Sequence, residues 1–331
     1  MKKVLFATTA LVATAGVAAA DVTFGGYGRF GLLYVDTAAG DSTDITSRFR
    51  LQIDATAESD AGVTFGARVR IQQDNDGLAN GIDAGGDISD GVFPGVDADL
   101  DGDRDFRGRQ ETGINGVRFF ARSGGLEVGV GNIFGALEFM PGMYPIDIGL
   151  TGHSYDYTAY NFRGDAYDSD AGGSAGLNGV EVMYSAGDFS MHVSASDTND
   201  RLAAHFAYTF SGWTIALGLQ DSDAAGDTEY AVSVGGSVGI ADLSFAYAKN
   251  GDDNNIIGAG GNGDHWVLAA RFDVGAATNI EAYVADADYF AETSYGVDFN
   301  HDLGGGTSLR GGISSTGQDV TLVDLGVRFN F

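Results

Sequence analysis

The chain predicts an all-β fold: a transmembrane, 16-stranded, antiparallel up-and-down β-barrel. Three observations carry that expectation. Apolar and polar residues alternate with period 2 from residue 22 to Phe331, in runs of about ten. Tight turns alternate with long connections along the chain. Arginines within the alternating runs keep to one face.

The first twenty residues stand apart from this pattern. Lys2 and Lys3 precede an apolar run from Val4 to Val17, and Ala18-Ala19-Ala20 closes it. A charged start, a short apolar stretch and an A-x-A site describe a cleaved secretory signal peptide over 1–20, with the barrel domain over 21–331. The run is too short for a membrane helix.

The strands then follow in order. In 22–35, Val22, Phe24, Phe30, Leu32 and Tyr34 share one face and Thr23, Tyr27 and Arg29 the other. In 47–58, Phe49, Leu51, Ile53, Ala55 and Ala57 alternate with Arg48, Arg50, Gln52, Asp54, Thr56 and Glu58. Ser59-Asp60-Ala61-Gly62 turns the chain, and Val63, Phe65, Ala67, Val69 and Ile71 then alternate with Thr64, Gly66, Arg68, Arg70 and Gln72. Period 2 reset by a short turn is the pattern of a hairpin. The same reading places strands at 111–122, 125–132, 179–185, 188–197, 201–210, 213–221, 228–238, 241–249, 264–273, 278–286, 291–300, 306–315 and 320–331. Ser123-Gly124, Ala186-Gly187, Ser211-Gly212 and Gly275-Ala276-Ala277 read as tight turns. The longer connections are 36–46, 74–110, 133–178 and 250–263.

Charge supplies a sharper test. Beyond residue 20 there are one lysine, Lys249, and fifteen arginines. Eleven arginines fall in strands, each with the parity opposite to its strand's apolar set; Glu127, Glu181, Glu229, Asp242, Glu281, Asp298 and Asp324 obey the same rule. An outward arginine at the bilayer midplane costs about 2–4 kcal/mol, so this segregation fits a wall with lipid outside and water inside. Sixteen strands enclose a lumen too wide for side chains to fill. Composition narrows the functional classes further. There is no cysteine, which excludes thiolate chemistry and disulfides. With 46 acidic and 18 basic residues the formal charge is −28, which argues against a nucleic-acid partner. The last strand alternates Val323, Leu325, Val327, Phe329 and Phe331 with Asp324, Gly326, Arg328 and Asn330, and resembles the terminal signal read by outer-membrane insertion machinery. The expected location is therefore the bacterial outer membrane.

Several stretches resemble the trimeric general diffusion porins of Gram-negative bacteria, especially the alphaproteobacterial branch. They are Gly25-Gly26-Tyr27-Gly28-Arg29-Phe30-Gly31-Leu32-Leu33-Tyr34, Ser47-Arg48-Phe49-Arg50, Ser59 through Ala67, Asn178 through Gly187, and Val323 through Phe329. The resemblance implies a third outer loop, here about 133–178, folded inward to form a constriction. It implies that loop acids, Glu138, Asp147 and Asp156, face wall arginines, which by position are Arg29, Arg48, Arg50, Arg68 and Arg70. It also implies a homotrimer, with 74–110 reaching a neighbour, seated among outer-membrane lipid and lipopolysaccharide. The implied function is a water-filled channel for passive diffusion of small hydrophilic solutes and ions. Weak cation preference is expected because acids outnumber bases. The alternatives are a substrate-selective channel and a structural or adhesive barrel with a closed lumen. A single lysine beyond residue 20 does not favour the selective channel.

Three motifs invite other readings. Gly26-Tyr27-Gly28-Arg29-Phe30-Gly31 matches G-x-G-x-x-G, but a dinucleotide site needs a helix to open there, and the alternation runs on to Tyr34. Asp97, Asp99, Asp101 and Asp103 resemble the start of a calcium loop; position 12 is Gly108 rather than glutamate, so a Ca²⁺ site and a solvated acidic loop both stand as readings. The five histidines form no H-E-x-x-H. No enzyme and no required cofactor are expected.

Overall fold

The computed structural model describes residues 20–38, 40–75, 111–114, 116–160, 178–197, 200–223, 225–251 and 263–331. The alternation becomes geometry at once in β1 (Asp21–Thr37) and β2 (Gly40–Glu58), which pair antiparallel along their whole length. Next come β3 (Thr64–Asn75), β4 (Glu111–Ile114), β5 (Arg118–Ser123), β6 (Leu126–Gly131), β7 (Gly179–Ala186) and β8 (Phe189–Ser196). The circuit continues through β9 (Arg201–Phe210), β10 (Trp213–Asp221), β11 (Glu229–Val238), β12 (Ala241–Asn250) and β13 (Gly263–Asp273). It ends with β14 (Thr278–Ala287), β15 (Ser294–Gly304), β16 (Thr307–Ser315) and β17 (Thr321–Asn330).

Each strand pairs antiparallel with its sequence neighbour, and β17 pairs back onto β1, with Arg29 beside Arg328 and Leu32 beside Leu325. The sheet is therefore closed and leaves no edge. Both β4 and β5 pair with β3, so they are two parts of one stave and the barrel has sixteen. The expected single strand 111–122 is thus interrupted after Ile114, and beyond the break the Val117 carbonyl accepts the Asn132 N–H at 3.0 Å. A second correction concerns 36–46. It is not a long connection; β1 and β2 extend to Thr37 and Gly40 and reverse there. Pairings such as Leu32 with Ile45 and Tyr34 with Thr43 continue the alternation outward, while inward-facing Leu33 and Val35 bury against Val320 and Leu322.

One face of the wall meets lipid. Leu202, Phe206, Leu217, Leu268, Val297 and Leu325 all project outward and are exposed on the barrel. Aromatic side chains gather near both margins: Tyr208, Phe210 and Trp213 at the tight-turn end, and Tyr230, Tyr247, Trp266 and Tyr295 at the other. Such girdles mark the two membrane–water interfaces. No described helix is long and apolar enough to cross a membrane; the strands do the crossing. The G-x-G-x-x-G stretch lies wholly within β1 and opens no helix. The chain terminus locks the seam, with Gly26 and Phe331 exchanging backbone hydrogen bonds at 3.1 Å and Phe331 stacked on Phe49.

Candidate functional site

Inside the barrel the other face meets the segment 132–160, which enters the lumen instead of standing above it. Apolar contact seats it. Leu137, Met140, Met143, Ile146, Ile148, Tyr157 and Tyr160 are buried against a smooth inner wall of Ala203, Ala207, Ala216, Ala231, Ala246, Ala248, Ala269 and Ala285. A barrel wall bathed only in water would have no reason to carry so many inward alanines. Here their small size leaves room for a second layer of chain.

Polar latches fix the path. Phe134 N–H donates to Glu181 on β7 at 3.0 Å, and Ala136 N–H to Ser194 on β8 at 2.9 Å. His205 on β9 holds the Ala136 carbonyl at 2.6 Å, and Ser233 on β11 donates to the Pro141 carbonyl. Asp147 N–H donates to Glu281 on β14 at 3.0 Å and Gly149 N–H to Asp298 on β15 at 2.8 Å. Asp324 on β17 accepts the Leu150 and Thr151 N–H groups and the Thr151 hydroxyl, each at 2.8 Å. Arg29 on β1 donates to the Leu150 carbonyl at 2.9 Å. The chain then doubles back. His153 meets Ser314 on β16, the Asp156 carbonyl accepts from His265 on β13, and the Ala159 carbonyl accepts from Asn250 on β12. Gly149 and Gly152, both at positive φ, allow the reversal. At the turning point Leu150 sits over Gly31 and Gly326, cross-strand partners whose missing Cβ atoms leave its seat; a Cβ on either would overlap its side chain.

Wall carboxylates thus satisfy backbone amides of a segment that forms no regular ladder. Buried N–H groups need such partners, and a charged acceptor contributes about 1.5–3 kcal/mol per bond. Glu181, Glu281, Asp298 and Asp324, legible beforehand only as inward acids, emerge as the anchors of the loop.

The three expected loop acids occupy different surroundings. Asp147 is half-exposed and forms ion pairs with Arg310 on β16 at 2.6 Å and Arg328 on β17 at 3.3 Å. Neither arginine belongs to the five expected partners. Glu138 is buried and accepts the Tyr144 hydroxyl at 3.2 Å. The Asp156 carboxylate accepts the Gly317 N–H at 2.8 Å, in the β16–β17 connection. Burial pushes its pKa up from 3.8, against hydrogen bonds from Gly317, Ser294 and Ser154 that lower it. Desolvation likewise raises the Tyr155 hydroxyl, opposed by the charges of Arg48 and Arg29.

The five expected arginines share the lumen face. Arg328, Arg29 and Arg48 stand in one row across β17, β1 and β2. Arg50 donates to Gln72, Arg70 donates to Gln52 at 3.0 Å, and Arg68 pairs with Asp54 at 2.6 Å. Arg50 and Arg328 both lie over the Tyr27 ring, at 5.5 and 4.2 Å from its centroid. Barrel closure therefore extends the basic wall to Arg310 and Arg328, two members that reading consecutive strands had missed. The four aspartates Asp97, Asp99, Asp101 and Asp103 lie outside the described residues, as do residues 1–19 and 161–177.

An edge-free barrel with an outward apolar belt and a charged, loop-narrowed lumen has counterparts among known proteins. A porin of Fuscovulum blasticum is 30% identical over 94% of this chain and 100% of its own length. A porin of Rhodobacter capsulatus is 25% identical at the same coverage. The solved structure of a triple mutant of Rhodopseudomonas blastica porin superposes with a TM-score of 0.73 at 26% identity, covering 94% of this chain and 100% of that one. The sequence profile of Gram-negative porins matches residues 7–321. This chain belongs to the Gram-negative porin family, whose members are channels of the outer membrane rather than enzymes.

Proposed function

We propose that the chain forms a water-filled pore through which small hydrophilic solutes and ions diffuse passively, with weak preference for cations. The carrying observation is the inward loop. It is bonded to the wall from β7 round to β1 and brings Asp147 against Arg310 and Arg328 within the lumen. On this reading Arg29, Arg48, Arg50, Arg68 and Arg70 form the basic side of the constriction, and Asp147, with Glu138 and Asp156 behind it, the acidic side. Fixed charges of both signs across a narrow gap order water and disfavour apolar solutes. Guanidinium suits the task because it stays charged and rigid. Cation preference follows from 46 acids against 18 bases, since a net negative field concentrates cations at the pore.

The same reading has residues 1–20 removed on export and the mature barrel assembling as a homotrimer among lipopolysaccharide. Calcium at Asp97, Asp99, Asp101 and Asp103 is a subsidiary proposal that rests on oxygen-ligand density alone. A planar-bilayer recording tests the main claim. We expect large, unsaturable conductance and, in a salt gradient, a reversal potential of cationic sign. A closed barrel would give no steps, a substrate-selective channel would saturate, and an anionic reversal potential would overturn the selectivity.

A further inference from the structure

Beside the first residues of the inward loop lies an alcove that the latches do not explain. It has a volume of about 770 Å³ and is bounded by β5 to β9 and the Ser123-Gly124-Gly125 turn. Tight turns are periplasmic in outer-membrane barrels, so the alcove opens on that side of the constriction. Its size is that of a small-molecule site.

Two features of its lining point to one ligand chemistry. The first is an apolar aromatic surface in water. Phe139 is 40% exposed, its ring centroid stands 4.6 Å from that of Phe134, and Pro141 and Met183 border the same space. The second is an uncommitted cation. Arg118, buried beneath, is held by Glu181 at 2.5 Å and Glu127 at 2.6 Å. Arg122 stands across from Glu127 in register, yet that carboxylate is turned to Arg118. Arg122 is exposed, lies 5.4 Å from the Phe120 centroid, and forms no ion pair among the described residues. His192 and His205 also border the alcove, but His192 is bonded to Glu181 and His205 to the loop backbone.

We propose that this alcove binds aromatic carboxylates, the ring lying on Phe139 and the carboxylate pairing with Arg122. An offset or edge-on ring partner covers an aromatic face that water hydrates poorly, and a guanidinium receives a carboxylate through two parallel N–H bonds. The proposal rests on the channel reading for how a solute arrives, and it adds a solute class that the pore retains rather than merely passes.

The test is an equilibrium titration of the folded, detergent-solubilised chain with 3-phenylpropionate, followed by ligand-detected NMR, with propionate and 3-phenylpropanol as comparators. Saturable binding is expected, with both comparators at least tenfold weaker. Phe139→Ser is expected to weaken 3-phenylpropionate at least tenfold, and Arg122→Gln to bring it to the level of 3-phenylpropanol. Should the serine variant not fold, as judged by heat-modifiable electrophoretic mobility, Phe139→Leu removes the ring while keeping apolar bulk. Unchanged affinity in the Phe139 variant, equal binding of propionate, or no saturable binding would overturn the site. Open-channel current in salt alone is measured separately. A conducting barrel without saturable binding sinks the site and spares the channel; saturable binding in a barrel that never conducts does the reverse.

Discussion

Asp324 carries the densest set of bonds in the lumen. It accepts Leu150, Thr151 and Gly312 amides and the Thr151 hydroxyl, and its carboxylate stands 3.3 Å from His153 Nε2. Removing it strands several buried donors, each costing about 1–3 kcal/mol. We therefore expect Asp324→Ala to lower the midpoint of heat-induced mobility change on electrophoresis by several degrees and to make single-channel current noisier. Asp156 makes a pH-dependent contribution of the other kind. Its folded pKa lies above the ordinary 3.8 because burial penalises the charge. Its contribution to loop seating is therefore full below 3.8 and is lost as pH rises through the raised value. Melting midpoints across pH 3–8 should show that decline in the native chain and lack it in Asp156→Asn, whose amide oxygen still accepts the Gly317 N–H. Little of this was legible in advance. Parity told that Asp324 and Glu281 face inward, but the loop amides they hold lie more than a hundred residues away, and an amide has no signature in the sequence.

At the scale of elements, the strands were the legible part and the interior loop the opaque one. Period 2 and turn residues located the staves, because a one-residue slip would expose every apolar side chain to the lumen. The misread hairpin 36–46 shows the limit: Gly40 through Thr46 are polar enough to pass for a loop, yet they continue the alternation, with Ile45 outward and Thr46 buried. Asp147 shows another. Parity says which face a charge takes, not its angular place round the ring, and β17 becomes the neighbour of β1 only on closure. Asp147→Asn leaves Arg310 and Arg328 without their shared counter-charge. The cation-to-anion permeability ratio from reversal potentials should fall by roughly twofold to fivefold, the scale of a ~1 kcal/mol Coulomb interaction in water.

The whole molecule combines a barrel that hydrogen bonds close without an edge and a loop that side chains seat. Its net charge of −28 acts at a distance, so selectivity should depend on ionic strength. The Debye length falls from about 10 Å at 0.1 M to about 3 Å at 1 M, and the cationic reversal potential measured across a fixed salt ratio should shrink accordingly. The alanine-paved interior under the loop has a consequence of its own. Strand pairing is indifferent to the size of an inward methyl, whereas the second layer resting on it is not. Each of those alanines is then a shim: a bulkier residue thickens the lining from behind and shifts the loop toward the axis, while the outer contour facing lipid stays as it was. Calibre can thus drift between homologous channels without any change in the residues that touch a passing solute.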